Sequence, residues 1–317
     1  MIRYFIFRVL TLLSIPASIA LAWIAFVVTL DLRSYRSSLG VPEGRDVWVC
    51  GDSQSRDGLD PSIFGRLHNF STAAAAVDQN LLRLRDLLAA NPGRRGYVLI
   101  DVTPVQLGFD EREVPLSECG PERVHALLHF YHFGEGSRPI GSVVRLVRDV
   151  LIVRKFTEVR KSVFKGRAYM SQLVGCFFSP PTAGFIDHRE KCFRDMRGKA
   201  DAFNANAPFS EDSRLAEVLR EEAEEVRRAG MTPVFMSTPV SPAFMAELDS
   251  KLVFSLTNGI ERLATSCGAP YINCISEDLP VECWHDANHL NASGAKLFTA
   301  RFMSKFMELE SIIRGPQ

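Results

Sequence analysis

Three residue types suited to acyl transfer stand in two short segments of this chain. Gly51-Asp52-Ser53 lies near the start and Asp286-Ala287-Asn288-His289 near the end, roughly 230 positions apart. A serine hydroxyl is a weak nucleophile at neutral pH unless an adjacent base takes its proton, and His289 is a candidate base. Asp286, three residues before the histidine, offers a carboxylate to hold the imidazole tautomer and to stabilise the imidazolium. The i, i+3 spacing in a loop or turn lets both side chains point the same way. The chemistry within reach is displacement at an acyl ester through a covalent serine intermediate, provided the two segments meet in space.

The elements that would bring them together are legible as alternating strands and helices. Ser53 follows Asp46-Val47-Trp48-Val49-Cys50, an apolar run of β character. That places its hydroxyl at the carboxyl end of a strand, where open α/β sheets keep their ligands. The residues after it, Gln54 to Pro61, are predicted as a turn-rich segment. Asn69-Phe70-Ser71 reads as a short extended piece, followed by a helix to about Ala90 that Asn91-Pro92-Gly93 stops. Gly96 to Asp101 is a second clear strand.

Ser213 to Arg228 is an amphipathic helix, with Leu215, Val218, Leu219 and Val226 on one face, Glu217, Glu221 and Glu224 on the other, and Gly230 ending it. Pro233 to Ser237 is the next strand, one helix is predicted over 242–265, and Pro270 to Asn273 is the last strand. A helix from near Ser293 to about Ile313 closes the chain. The alternation predicts an α/β fold with a mostly parallel sheet and crossover helices. Residues from about 107 to 210 break this rhythm. They are predicted as a largely helical insertion over or beside the active-site end of the sheet.

Composition narrows the class. Lys plus Arg and Asp plus Glu number 37 each, so overall charge offers no argument for a nucleic-acid partner. A hydrophobic share of 46% is enough for a sizeable core and excludes compositional disorder. From Val9 to Leu30 there are 22 positions without a charge, long enough to span a hydrocarbon core of about 30 Å as a helix. Arg3, Arg8 and the α-amino group outweigh the charge beyond the run, which sets the N-terminus in the cytoplasm and residues from about 40 onward outside it. Ser18 and Ala20 resemble a signal-peptide cleavage site, but the apolar run continues past them, which favours an uncleaved anchor. The expected organisation is a cytoplasmic tip and transmembrane anchor over 1–30, a linker over 31–44, and one domain over 45–317. Seven cysteines leave an odd one; Cys50 is expected beside the sheet, and Cys176 with Cys192, or Cys267 or Cys274 with Cys283, are conceivable bridges.

The GDS after the first strand, the Asn-Phe-Ser segment about 16 residues later, and Asp286-Ala287-Asn288-His289-Leu290-Asn291-Ala292-Ser293-Gly294-Ala295 together resemble the SGNH/GDSL hydrolase superfamily. The N-terminal anchor resembles membrane-tethered members of bacterial cell envelopes, of the DltD-like and alginate-acetylation types. The resemblance covers roughly 45–105 and 212–312. It implies a flavodoxin-like three-layer α/β/α sandwich, with Ser53 as nucleophile, His289 as base and Asp286 as orienting acid. It also implies the Ser53 N–H as one oxyanion donor. The second family block matches Ser71-Thr72-Ala73-Ala74, without the family's glycine, so Ser71 and Ala73 stand where a donor is expected. The third block matches Asp101-Val102-Thr103-Pro104 without the family's asparagine, which leaves the Thr103 hydroxyl as its donor. The implied function is an esterase or O-acyltransferase on acyl esters of a cell-envelope polysaccharide, outside the cytoplasm, without a cofactor. Other envelope-biosynthesis proteins are the implied partners. The rival from another class is a non-catalytic envelope assembly protein that keeps the fold and binds glycan or partners.

Two segments remain. His125, His129 and His132 fall at i, i+4 and i+7, a spacing able to hold zinc, but HALLHFYH has no acidic residue to act as its base. An aromatic packing face or substrate wall is the preferred reading over a metal-dependent hydrolase. The stretch from Arg138 to Arg167 carries nine Lys or Arg against Asp149 and Glu158. It fits a solvated helix packed on the domain, a membrane-surface helix, or a contact for an anionic glycan. His285 and Trp284 are expected to shape the loop rather than to react.

Overall fold

Among the described residues every strand of the sheet runs parallel to its neighbours, so no neighbouring pair is joined by a tight hairpin. In a computed structural model that describes residues 18, 39–71, 77–103, 189–205 and 208–315, five strands are arranged in the order 2-1-3-4-5. They are β1 (Val47–Cys50), β2 (Leu67–Asn69), β3 (Tyr97–Asp101), β4 (Thr232–Ser237) and β5 (Tyr271–Asn273). All four pairings are parallel. The order reverses between β1 and β3, and crevices at such switch points, beyond the carboxyl ends of the strands, are the ligand sites of open α/β sheets.

Alternate strand residues serve two separate cores, as a period of two requires. Trp48, Cys50, Val98, Ile100 and Phe235 belong to one, packed with α2 (Val77–Ala90), α4 (Arg214–Arg228) and α6 (Ser250–Ser266). Val47, Val49, Tyr97, Leu99, Val234 and Met236 belong to the other, packed with α7 (Ala292–Arg314). Phe298, Phe302 and Phe306, spaced four apart on α7, are fully buried. Each contributes about 2–3 kcal/mol of apolar burial. Arg66 ties the far ends together through Asp46, which precedes β1, and Glu310 of α7.

The described residues agree closely with the expected strands and with α2, α4 and α7, and differ in three places. Gln54 to Pro61 is not all turn: Ser53–Gly58 forms helix α1. Asp52 caps it by accepting the Gln54 N–H at 2.7 Å, and Asn69 Nδ2 closes its other end on the Ser55 and Leu59 carbonyls. A six-residue helix has no room to show a periodicity. The helix predicted over 242–265 is two helices, α5 (Pro242–Glu247) and α6. Asp249 begins a new one by accepting the Lys251 N–H, and Asn204 straps the break by bonding Glu247 O and the Asp249 N–H. Cys267, Cys274 and Cys283 are free thiols, so the proposed bridges of Cys267 or Cys274 to Cys283 do not form. Cys50 is buried beside the sheet as expected.

The last residues of the expected linker pack on the domain, with Leu39 and Val41 buried and bonded to Asn91. Among the described residues no helix is long and apolar enough to cross a membrane. The run from Val9 to Leu30 apart from Ser18, the histidine segment 125–132, the basic segment 138–167 and Cys119 and Cys176 lie outside them. So does most of the expected insertion, of which α3 (Arg189–Asn204) is described and helical.

α7 begins against a 3-10 turn, Val281–Cys283. Asn291 caps the helix by accepting the Ser293 and Gly294 N–H groups at 3.0 Å, and its own Nδ2 reaches Glu282 O. A β-carbon on Gly294 would stand 2.1 Å from the Cys283 carbonyl oxygen. The backbone cannot yield there, so Gly294→Ala is expected to cost about 1–3 kcal/mol. A lowered urea midpoint with an unchanged denaturant slope is the expected result, read by circular dichroism.

Candidate active site

The two chemical segments meet at the carboxyl edge of the sheet. Ser53 opens α1 directly beyond β1, so its position follows from the strand. Gly51 before it is a matter of space: a β-carbon there would lie 2.3 Å from Ser55 Oγ and 2.7 Å from Asp101 Cβ. The histidine arrives on the loop that leads into α7. Trp284 and Leu290 pair across that loop as an antiparallel bridge, and the His285 N–H bonds the His289 carbonyl. Trp284 is buried and donates its indole N–H to Leu279 O. Inside the loop Asp286 Oδ1 accepts the N–H groups of both Asn288 and His289, at 3.0 and 2.9 Å. That turn is what makes the i, i+3 spacing productive.

Ser53 Oγ lies 2.7 Å from His289 Nε2. His289 Nδ1 lies 2.9 Å from both oxygens of Asp286. With Nδ1 donating to the carboxylate, Nε2 is left to accept the serine proton. The histidine and aspartate side chains keep 18% and 28% of their surface exposed, so a substrate can reach the relay from one side. Burial alone would raise the Asp286 pKa. The hydrogen bond from His289, its charge and the nearby Lys199 outweigh burial and hold the carboxyl well below the usual carboxylate range. It is therefore ionised at every pH where a histidine base works.

The remaining site candidates of the sequence reading are placed as follows. Ser71 is fully buried; its hydroxyl is 2.9 Å from Ser55 Oγ and its N–H bonds Asn69 Oδ1. Thr103 is also fully buried, and its hydroxyl donates to Asp52 Oδ2 at 3.3 Å. Ala73 lies outside the described residues. Among the described residues no three His, Cys, Asp or Glu side chains are grouped to hold a metal ion.

Sequence reasoning missed the residues that bind the two segments to each other. Gln54, buried next to the nucleophile, donates Nε2 to Asn288 O at 3.2 Å and accepts from Thr238 Oγ1 at 3.4 Å. Asn69 holds α1 from behind. Lys199 of α3 donates to Asn288 Oδ1 at 2.5 Å. The signals were faint: a polar residue following a serine, and a lysine flanking the stripe Met196, Ala200 and Phe203.

Asp52 and Asp101 form a buried acidic pair behind the nucleophile. Burial raises the Asp52 pKa, against the Gln54 N–H, the His289 charge and the Thr103 hydroxyl, which lower it. Asp101 is the more perturbed. Its oxygens are buried without a well-formed hydrogen bond. Burial, then the charge of Asp52, push its pKa well above the carboxylate range, and weak help from Ser55 and the Thr238 N–H does not offset them. The anionic form of Asp101 is thus disfavoured where it stands.

No family model matches the chain, and no curated protein matches it either.

Since folding favours the protonated form of Asp101, its ionisation costs stability as pH rises above the ordinary carboxylate range near 4. Asp101→Asn removes that cost. The urea midpoint of the variant is expected to exceed that of the wild type at pH 8 and to approach it at pH 4; a gap that widens on acidification would overturn the assignment.

Proposed function

We propose that this protein is an extracytoplasmic, membrane-anchored serine esterase or O-acyltransferase acting on acyl esters of a cell-envelope polysaccharide. The observation that carries it is the continuous relay from Ser53 Oγ through His289 to Asp286, with no contact longer than 2.9 Å. Ser53 attacks the ester carbonyl while His289 Nε2 takes its proton. The imidazolium so formed is stabilised by Asp286, which stays ionised. The developing oxyanion is met by the Ser53 N–H, one of the first-turn amides of α1 that have no partner within the helix. One such donor is worth about 3 kcal/mol of transition-state stabilisation. Collapse returns the proton from His289 to the leaving alcohol and leaves an ester on Ser53. Water or a sugar hydroxyl, deprotonated by His289, then attacks the acyl carbon, and the proton passes from His289 to the departing Ser53 Oγ. The scheme balances without a cofactor or metal.

The SGNH-type assignment draws support from the 2-1-3-4-5 parallel sheet and from the nucleophile at its switch point. The membrane anchor rests on the uncharged run from Val9 to Leu30, and the helical insertion on α3. The envelope glycan follows from that location and from the resemblance. A second reading is an SGNH-like scaffold that binds glycan or partner proteins without turnover. It draws on Thr103, whose hydroxyl is engaged by Asp52 instead of standing free for an oxyanion.

A fluorophosphonate probe is expected to label the full-length protein at Ser53, as mapped by mass spectrometry, and Ser53→Ala is expected to abolish the labelling. Hydrolysis of p-nitrophenyl acetate should fall to background in the same variant. Equal labelling or equal hydrolysis in Ser53→Ala would leave only the scaffold reading. Asp286→Asn, which keeps the shape but favours the wrong tautomer, is expected to slow labelling by a factor on the order of 10³ to 10⁴.

A further inference from the structure

Asn288 sits between the two triad residues of its loop and is 3% exposed, yet nothing in the acyl-transfer scheme uses it. It is held from three directions. Its N–H bonds Asp286 Oδ1 at 3.0 Å, its carbonyl accepts Gln54 Nε2 at 3.2 Å, and its side-chain oxygen accepts Lys199 Nζ at 2.5 Å. The first contact closes the turn that aims Asp286, the second fastens that turn to the helix carrying Ser53, and the third fastens it to α3. An ammonium only donates, so it also settles which way the Asn288 amide faces.

The origin of that lysine is rigid. Met196, Ala200 and Phe203 of α3 are each 2% exposed or less, and Lys199, three residues after Met196 and four before Phe203, flanks the stripe they define. Asn204, at the end of the same helix, bonds the break between α5 and α6. Lys199 therefore reaches the loop from a docked helix, not from a free surface. Its charge is turned toward Asn288 and Asp286, which it helps to keep ionised, and so it is not presented as a separate anion site.

We propose that Lys199 is a positioning residue for the triad, holding Asn288 and through it the turn that presents Asp286 and His289 to Ser53. The helix that supplies it lies in the segment that departs from the strand-helix rhythm, so α3 carries that segment's contribution to the active site. The proposal rests on the acyl-transfer reading for its consequence, but not for its geometry.

The test uses the full-length chain purified in detergent, as wild type, Lys199→Met, Lys199→Arg, Asn288→Ala and the Lys199→Met/Asn288→Ala double variant. Two quantities are read: amide hydrogen exchange over residues 284–291, and the rate of fluorophosphonate labelling at Ser53. In Lys199→Met, exchange in that loop is expected to accelerate, and labelling to slow, by about tenfold, the scale of one charge-assisted hydrogen bond. Exchange in α4 should stay at the wild-type rate. Lys199→Arg should bring both quantities to within about threefold of wild type, since a charged donor remains. The double variant should label no more slowly than Asn288→Ala alone, because the two residues act through one contact. Wild-type exchange in the Lys199→Met loop, additive losses in the double variant, or loss of protection in α4 as well would overturn the proposal. If the wild type itself is not labelled, the acyl-transfer reading fails, and the exchange data alone then decide the role of Lys199.

Discussion

The hydrogen bond between Ser53 and His289, 2.7 Å long, joins residues 236 positions apart. It forms because two separate pieces of backbone are each held in place by their own contacts. One piece is α1, which continues from β1 and is capped by Asp52 in front and Asn69 behind. The other is the loop from Trp284 to Asn291, seated on the 3-10 turn by Asn291 and by the missing side chain of Gly294. Neither piece is rigid by itself, since a one-and-a-half-turn helix and a short loop have little internal stability. Their precision comes from the sheet beneath and from the side chains that cross between them.

The polar groups around the site divide the work. On the exposed side, His289 and Asp286 keep the relay open to a substrate. On the buried side, Ser55 of α1 and its cap Asp52 meet Thr103 and Asp101 in a polar layer beneath the helix. That layer is expensive, because Asp101 is removed from water without strong compensation. Buried groups of that kind gather where a site demands them, and here the layer lies directly behind the nucleophile. Gln54 and Lys199 then link the layers by meeting at Asn288, so the histidine loop is tied both to the serine helix and to α3.

Much of this was legible in the order of the residues. The strands β1, β3, β4 and β5 stand out as short β-rich runs bounded by turn formers, and helices α2, α4 and α7 show in their periodicity and stops. Ser53, Asp286 and His289 could be singled out because few residue types perform this chemistry and their neighbours form a recognisable pattern. What escaped were features too short to have a period, or set by contacts distant in sequence. The helix α1 looks like a turn because its stabilising partner is Asn69, fourteen residues away from Ser55. The break after α5 escaped because Leu248 and Asp249 are ordinary helix residues until Asp249 caps the next turn. The cysteine pairs were arithmetic without geometry, and the thiols are free.

By itself, then, the order of residues determined the alternation of strands and helices, the apolar faces, and the serine, histidine and aspartate whose chemistry makes them candidates for a relay. Those depend on local periodicity and on the intrinsic chemistry of each residue. The tertiary structure decided that the order of strands reverses beside Ser53, that Asp101 is driven toward its neutral form, and that Lys199 and Gln54 converge on Asn288. Strand order, burial and long-range hydrogen bonds are properties of neighbours in space. A chain acquires those neighbours only when it folds.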